Sequence, residues 1–574
     1  MDEEIARPMD TLSNLKRNTL CFIYRLPTET LEAIFIQGAH DYFRDTRGCG
    51  PIPIAPRWVN VSYVSRHWRN VALNCATLWT HLFLTAPRWT EELLARSKQA
   101  SLKLDVKAYS RDEKRRAFRF LEQVTDHVER IQELYLDLYP QDAFLSKLSS
   151  RAPRLQHLQF ISRSYYSDWS SISFQDPPAL RTLRLVHCSV SLDSFKLSGL
   201  TELSLRWVPV PFQDITEFLA ALSCMENLHH IDLEDALASA TGFLSSVAFR
   251  SFQKINLLHL SQLLIFDRLS AVITLLSCIN IPSKTEVRLG PDFHSRHNSS
   301  LDEYVQLYSL LEQRYGTSES RDQAPGLSVP TFRSLIIAYS ESPQGSTDLS
   351  FRTSERDVDS CISASRSNWG HGIPLQISLA YRQSINGRMH LLNQICCSMP
   401  LSHIQSVHVI NPPSSVAFWT DTLGCLPALR HLKLSDGFMP EIASILSLSP
   451  HDTADQDGLG DRGRDRVFVP ALEELELNKI SSSTAVYFLT GTIQTDFQTL
   501  SDILSTRKEP RGRLTITQCV QHTSHGKKIF DLDGWWGGGR FCTVSYKDED
   551  YYEDSEQEQE QEDGEEDEED EHEE

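Results

Sequence analysis

The chain has 574 residues, of which 40% are hydrophobic and 23% are charged, and its formal net charge is −21. Nineteen acidic residues lie between 548 and 574, where there is no lysine or arginine, so the rest of the chain is nearly neutral. This balance argues against nucleic acid as the partner, because proteins that bind nucleic acid present a basic surface.

Targeting signals and cysteine usage indicate the compartment. The acidic start MDEEIARPMD lacks the apolar core of a signal peptide, and no run approaches 18 apolar residues, so we expect neither secretion nor a membrane span. The twelve cysteines include no C-x-x-C pair, which favours reduced thiols over a disulfide framework or a zinc site. We therefore expect an intracellular protein of the cytoplasm, the nucleus or both.

Two short amphipathic helices are predicted near the start. In the first, LPTETLEAIF, apolar residues recur at helical spacing after Leu26 and Pro27. The second carries an apolar stripe with steps of three and four residues: Val61, Val64, Trp68, Val71 and Ala72. Glycines and prolines between them predict a loop over residues 37–57. Such short helices need a partner or the rest of the chain to bury their apolar faces.

Beyond Trp79 the chain repeats an apolar pattern of the form L-x-x-L-x-L. Successive starts from Ile131 to Ile255 lie 24, 25, 20, 28 and 27 residues apart. The second and third anchors are two residues apart and so lie on one face of a short strand. Helical stripes such as Phe218, Leu222 and Met225 precede some strands, so the pattern predicts a parallel sheet backed by helices. The nine copies begin at Ile131, Leu155, Leu180, Leu200, Leu228, Ile255, Ile404, Leu429 and Leu472.

The region from Ile281 to Leu401 is less regular. Weak strands are predicted at Ser334 to Tyr339 and at Leu375 to Ala380, together with a helix whose buried stripe is Tyr304, Leu307, Tyr308 and Leu311. Polar insertions at 341–372 and 451–466 are predicted as loops. The acidic segment 546–574 cannot bury enough apolar area to fold, so we expect it to be disordered.

No constellation for catalysis, a cofactor or a metal stands out. HDTADQDG has Thr453 and Arg464 where a calcium loop needs an acidic ligand. DGWWGGGR lacks the spacing of a phosphate-binding loop, so it predicts a capping hairpin or turn. Lys114, Arg115 and Arg116 are predicted to begin a helix on a solvated face. The sequence therefore favours an interaction protein over an enzyme.

The N-terminal pattern resembles the F-box. The matching elements are a Leu-Pro that opens the first helix, an acidic residue after it, a Val-x-x-x-Trp-Arg segment, and a downstream Leu-Trp. The repeats that follow resemble leucine-rich repeats, whose period is about 20–29 residues. The elements of the F-box pattern here are Leu26, Pro27, Glu29, Leu31, Ile34, Phe35, Val64, Trp68, Arg69, Ala72, Leu78 and Trp79.

The resemblance implies the substrate receptor of an SCF-type ubiquitin ligase. Its F-box would dock on the Skp-type adaptor, which links it to cullin and RING subunits, while the repeats bind a protein target. The positions implied for the adaptor or the F-box core are Leu26, Pro27, Leu31, Ile34, Val64 and Trp68. Residues beside the strand anchors are the candidates for target binding: His157, Arg184, Arg206, Trp207, His230, Asp232, Glu234, His431, Lys433, Glu474 and Glu476.

This reading predicts an α/β chain in four parts. They are an N-terminal extension (1–22), the helical F-box-like module (23–84), an irregular repeat solenoid (85–545) and the acidic tail (546–574). Three alternatives stay open. The protein could bind the adaptor without delivering a target, serve as a repeat scaffold outside any ligase, or bind a basic protein through its acidic tail.

Overall fold

The chain forms a mixed α/β structure in which parallel strands predominate, as a computed structural model describes it. It divides into two units, Met1–Arg333 with Ser340–Leu401, and Ser334–Tyr339 with Ser402–Glu574. The structure describes residues 22–46, 57–84, 87–108, 110–138, 144, 146–148, 152–162, 180–187, 197–208, 215–237, 254–282, 284–290, 301–315, 332–341, 347–354, 375–381, 401–411, 426–438, 471–483, 512–523, 526–536 and 544–547.

The described α-helices are α1 (Thr28–Thr46), α2 (Val61–Val64), α3 (Arg66–Asn74), α4 (Pro87–Arg96), α5 (Arg111–Val124), α6 (Ile215–Ser223), α7 (Leu269–Cys278) and α8 (Leu301–Tyr315). Short 3-10 helices cover Phe22–Arg25, Arg57–Asn60, Ala76–Trp79, Thr125–Arg130, Leu197–Gly199 and Leu401–His403.

The strands are β1 (His81–Phe83), β2 (Leu102–Lys107), β3 (Ile131–Asp137), β4 (His157–Ile161), β5 (Thr182–Val186), β6 (Glu202–Arg206), β7 (His230–Glu234), β8 (Ile255–Asn256), β9 (Gln262–Phe266), β10 (Ile279–Asn280), β11 (Glu286–Gly290), β12 (Ser334–Glu341), β13 (Thr347–Ser354), β14 (Leu375–Tyr381), β15 (Ser406–Ile410), β16 (His431–Phe438), β17 (Glu474–Ser483), β18 (Gly512–Thr523), β19 (Gly526–Trp536) and β20 (Val544–Lys547).

In the first unit one sheet runs in the order β1-β2-β3-β4-β5-β6-β7-β9-β11-β14-β13. Its neighbours are parallel except for the last pair, β14 and β13. The register aligns the apolar anchors, so that Leu158, Leu183, Leu203, Ile231 and Leu263 form one buried row. Each strand thus buries one face and leaves alternate residues on the other.

One strand was predicted at the wrong residues. Leu258 was expected to be an anchor of the pattern that starts at Ile255, but its side chain is 69% exposed. The strand that joins the sheet is β9, whose anchors Leu263 and Ile265 are buried and follow the buried Leu260. Two overlapping apolar patterns exist here, and only packing distinguishes them.

Within the second unit the strands pair in the order β12-β15-β16-β17-β18-β19-β20. The strands are parallel up to β18, and the last three are antiparallel. Trp535 and Trp536 lie at the end of β19, which pairs antiparallel with β18, so Asp533 to Trp536 belong to a strand and not to the predicted turn. Gly537 and the glycines after it lie outside the described residues.

A left-handed backbone conformation recurs at one position along many strands, either just after a strand or within it. Trp207 follows β6 with φ 50°, and its N–H donates to the carbonyl of Glu234 at 2.7 Å. The same conformation recurs at one register position in both units, although a side chain there costs about 1 kcal/mol relative to glycine. These residues are His187, Trp207, Asp235, Asn411, Asp436, Lys479 and Gln518.

Three predicted boundaries need correction. The loop predicted for 37–57 is helical up to Thr46, because Ala39 extends the buried stripe of α1 and no glycine or proline interrupts residues 39–46. The polar loop predicted for 341–372 contains β13, whose backbone pairs antiparallel with β14. The tail predicted from residue 546 starts inside β20, which ends at Lys547. Residues 451–466 and 548–574 lie outside the described part.

Other predicted elements are confirmed. The weak strands at Ser334 and Leu375 are β12 and β14, and the predicted helix is α8 with its four stripe residues buried. The basic cluster begins α5, where Ser110 and Glu113 form a reciprocal capping box and the three cationic side chains are exposed.

Candidate functional site

The N-terminal helices pack around four aromatic rings. The ring centroids of Phe35 on α1 and Trp68 on α3 are 5.1 Å apart, and those of Trp58 and Trp79 are also 5.1 Å apart. The indole Nε1 of Trp79 donates to the carbonyl of Ala72 at 2.8 Å. The guanidinium of Arg96 lies 4.4 Å from the Trp79 ring, which connects α4 to this helical module.

Side chain to backbone hydrogen bonds fix the angle between α2 and α3. Ser65 caps α3 by accepting from the N–H of Trp68 at 3.1 Å. Arg69 reaches back from α3, and its Nε donates to the carbonyl of Ser62 at 2.9 Å. The module is therefore held by specific contacts, and its exposed residues have a defined position.

The same module exposes several large apolar side chains. Of the seven large hydrophobic residues that are exposed in the described part of the chain, five belong to it: Phe22, Ile23, Ile34, Tyr63 and Val64. Ile34 is 45% exposed and Val64 is 61% exposed. Single exposed apolar residues are common, but a concentration of them in one small module is typical of an interaction surface.

The six residues implied by the F-box resemblance fall into two groups. Leu31 is completely buried, and Trp68 is half-buried against Phe35, so both belong to the core of the module. Pro27, Ile34 and Val64 are exposed, and Leu26 is half-buried. Sequence reasoning could not separate the groups, and it did not single out Phe22, Ile23 or Tyr63.

Gly38 lies one helical turn after Ile34 on α1 and is exposed. A Cβ atom added there would meet no other atom within 4 Å. Residues four apart lie on the same side of a helix, so this open space adjoins the exposed Ile34. A side chain at position 38 would therefore project from this face of α1 without a clash.

The polar face of the first sheet carries a row of hydrogen-bonded side chains. Nδ1 of His230 and Oε1 of Gln262 are 2.8 Å apart, and Nε2 of Gln262 donates to Oε2 of Glu286 at 3.0 Å. Further along the row, Nη2 of Arg184 lies 3.7 Å from Oε2 of Glu202. The strand register places Glu202, His230, Gln262 and Glu286 at the first positions of β6, β7, β9 and β11, and Arg184 lies in the middle of β5.

This row lines an open cavity of about 730 Å³. Its lining is polar throughout and contains cations, anions and imidazoles in comparable numbers: Arg184, Thr201, Glu202, His229, His230, Ser261, Gln262, Lys284 and Glu286. The volume lies within the range of about 300–1,000 Å³ that is usual for ligand sites. Arg184 and His230 were predicted as target-binding residues. Gln262 was missed because the strand near it was predicted at the wrong residues, and Lys284 and Glu286 were missed because β11 was not predicted.

Four further target-binding candidates of this unit lie in the middle of β7, at the last residues of β6 and β7, and just after β6: Asp232, Arg206, Glu234 and Trp207. Asp232 was expected on a solvated surface, but its side chain is only 5% exposed because Ser204 and Arg206 cover it. Trp207 stacks on His187 with ring centroids 4.6 Å apart and an interplanar angle of 14°. Nε of Arg206 lies 3.7 Å from Oε2 of Glu234.

In the second unit the four candidates form two cross-strand pairs between β16 and β17. Nδ1 of His431 is 2.9 Å from Oε2 of Glu474, and Nζ of Lys433 is 2.6 Å from Oε1 of Glu476. His157, in the first unit, is likewise paired across strands, with Thr182 at 3.0 Å. Every predicted target-binding residue is thus on a polar strand face or just after a strand.

Three further properties of the described ranges concern metal ligands, thiols and apolar helices. No group of three or more His, Cys, Asp or Glu side chains there is placed to hold a metal ion. The cysteines described, Cys75, Cys224, Cys278 and Cys519, are free thiols. None of the helices within these ranges is both long and apolar enough to cross a membrane.

Comparison with known proteins adds no relative to this description: no family model matches the chain, and no curated protein matches it either.

Proposed function

We propose that the protein is the substrate receptor of an SCF-type ubiquitin ligase. The N-terminal helical module acts as an F-box that docks on the Skp-type adaptor, and the strands that follow act as an array of leucine-rich repeats that binds a protein target. The receptor performs no bond chemistry itself. It raises the effective concentration of the target's lysines near the ubiquitin-conjugating enzyme that the cullin and RING subunits recruit.

The observation that carries the proposal is the exposure of apolar residues on a module that is otherwise specifically packed. Leu31, Phe35 and Trp79 are buried, while Ile34, Tyr63 and Val64 face solvent. Burying one such side chain at an interface contributes about 1.5–3 kcal/mol, so an unoccupied apolar surface of this kind favours a protein partner. Its position on the segment that resembles the F-box favours the adaptor.

The role of the repeats rests on the division between the two faces of the strands. Apolar anchors such as Leu183, Leu203 and Ile231 are buried on one face, while charged and polar residues occupy the other. A regular sheet of this kind offers a broad, rigid surface, which suits recognition of another protein.

The proposal is tested by binding of the purified full-length chain to a purified Skp-type adaptor. Ile34→Glu places a charge in the proposed interface and should weaken binding by at least about 2 kcal/mol. Gly38→Glu adds a side chain to the open space on the same helix face and should also weaken binding, although it removes no existing contact. Both positions are exposed, so thermal unfolding should be unchanged.

Leu258→Glu is the matched control, because Leu258 is equally apolar and exposed but lies far along the chain, between β8 and β9. It should leave adaptor binding unchanged. If a folded wild-type chain does not bind the adaptor, or if Ile34→Glu and Gly38→Glu bind as well as the wild type, the proposal is wrong.

A further inference from the structure

Arg288 is a buried cation on the polar face of the first sheet. It lies on β11 and pairs with Leu264 on β9, which in turn pairs with Asp232 on β7. Its side chain is 9% exposed. Within the described part of the chain it makes neither a hydrogen bond nor an ion pair. The guanidinium has five N–H donors, and none of its nitrogens is among the fully buried atoms that lack a partner, so these donors reach solvent at the sheet surface.

A guanidinium that is largely withdrawn from water and has no protein acceptor in the described structure can bind an external anion strongly. Burial disfavours its charged form and lowers the pKa of Arg288. The nearest carboxylate that offsets this effect is Glu286, two residues earlier on the same strand face. Glu286 accepts from Gln262 at 3.0 Å and forms no ion pair with Arg288 in the described structure. The guanidinium remains available for an external acceptor.

The cavity on this face adjoins Arg288. Glu286 lines the cavity, and Arg288 is the next residue along β11 on the same face. Lys284, at the entrance to β11, also lines it. Lys284 is exposed and has no hydrogen bond or ion pair among the residues that are described. The carboxylate of Glu202, by contrast, already has Arg184 within 3.7 Å. At the β11 end of the cavity the two cations Lys284 and Arg288 therefore outnumber the one carboxylate, Glu286.

We propose that this cavity binds an anionic side chain of a protein target, with Arg288 and Lys284 as its partners. The group is a carboxylate or a phosphoryl group, since a guanidinium forms two parallel hydrogen bonds with either. The inference rests on the proposed function in taking the ligand to be a segment of a target protein. The cavity volume of about 730 Å³ suits a few residues of a peptide.

The test is selection from a degenerate peptide array that contains all natural residues and phosphoserine, read with the purified full-length protein. The wild type should select peptides with aspartate, glutamate or phosphoserine at one position. Preference for aspartate and glutamate identifies a carboxylate, and preference for phosphoserine identifies a phosphoryl group. Arg288→Gln should weaken binding of the selected peptide by about ten- to a hundredfold.

Arg119→Gln is the matched control, because Arg119 is exposed on α5, and it should retain the selection. Thermal unfolding separates recognition from a structural role. Removing an unpaired buried cation should leave the unfolding temperature of Arg288→Gln unchanged or raised. If Arg288→Gln is instead destabilised, the exposed Lys284→Gln tests recognition separately. Lys284→Gln should weaken binding of the acidic peptide several-fold without affecting stability.

The inference is overturned if the wild type selects neither acidic nor phosphorylated peptides, or if the selection persists undiminished in both Arg288→Gln and Lys284→Gln. Adaptor binding by the same preparations is an independent readout. Lost acidic selection with intact adaptor binding would reject this inference alone. Lost adaptor binding with intact selection would reject the ligase role and leave the anion site standing.

Discussion

Arg206 directs two nitrogens to a single oxygen of Asp232: Nε lies 2.9 Å and Nη2 lies 2.7 Å from Oδ2. The hydroxyl of Ser204 donates to the same oxygen at 3.0 Å, while Oδ1 is buried without a hydrogen bond in the described structure. The two ends of the ion pair differ, because Arg206 is partly exposed and Asp232 is buried. The pair therefore serves chiefly to compensate a buried carboxylate.

This asymmetry predicts that substitutions of Arg206 and Asp232 lower the stability by unequal amounts. Arg206→Ala leaves a buried carboxylate with only Ser204 as a partner, and we expect it to lower the free energy of unfolding by about 3–5 kcal/mol. Asp232→Asn keeps an acceptor and frees a partly exposed guanidinium, so it should cost about 1–2 kcal/mol. Urea unfolding of both single variants and the double variant measures this. A double variant less stable than Arg206→Ala alone would contradict it.

The contact between Phe35 and Trp68 predicts coupling between α1 and α3. Their ring centroids are 5.1 Å apart with an interplanar angle of 56°, a tilted geometry that aromatic pairs favour. We expect Phe35→Ala to cost about 3–5 kcal/mol, because Phe35 is buried. A double-mutant cycle with Trp68→Ala should give a coupling energy of about 0.5–1.5 kcal/mol in denaturant unfolding. Additive effects would show that the two helices are not joined by this pair.

Asp267 predicts a pH dependence of stability. It is fully buried, and burial raises the pKa of its carboxyl to about 6, although backbone N–H groups of Leu237, Arg268 and Ala236 oppose the rise. A raised pKa means that the protonated form is favoured in the folded state. The contribution of Asp267 to stability is therefore greatest below about pH 4 and is lost as the pH rises through 6.

A difference of about two pKa units corresponds to an upper bound of about 3 kcal/mol. The measurement is urea unfolding of the wild type and Asp267→Asn between pH 4 and pH 7.5, because the variant removes this one titration from an otherwise equal background. The stability of the wild type relative to the variant should fall as the pH rises from 4 through 6 and level off above about pH 7. A relative stability that rises with pH would show that the three N–H donors outweigh burial.

The periodicity of the strands could be predicted from the sequence because each strand carries its own local signal. Leu203 and Leu205 alternate with polar residues, and burial of one face requires this alternation. The same rule failed at Ile255, since two overlapping apolar patterns satisfy it equally well. Only alignment of β9 with Ile231 on β7 and Val287 on β11 selects Leu263 as the buried residue.

Elements whose signal is not local were missed. β13 is a polar strand, and it is held by backbone pairing with β14 that no pattern within residues 347–354 reveals. Helix α1 continues past Gln37 because Ala39 packs in the core, which the composition of 37–46 alone does not indicate. In both cases a distant segment supplies the stabilising contacts.

The sequence by itself determined the α/β class, the alternation of buried and polar strand positions, and the presence of an apolar helical module at the start of the chain. These follow from side-chain chemistry at fixed spacing, which acts over a few residues. Tertiary structure alone decided that Ile34 is exposed while Leu31 is buried, and that Asp232 has Arg206 as its partner while Arg288 has none among the described residues. The burial and pairing of a charge depend on which strands become neighbours, and residues far apart in the chain decide that.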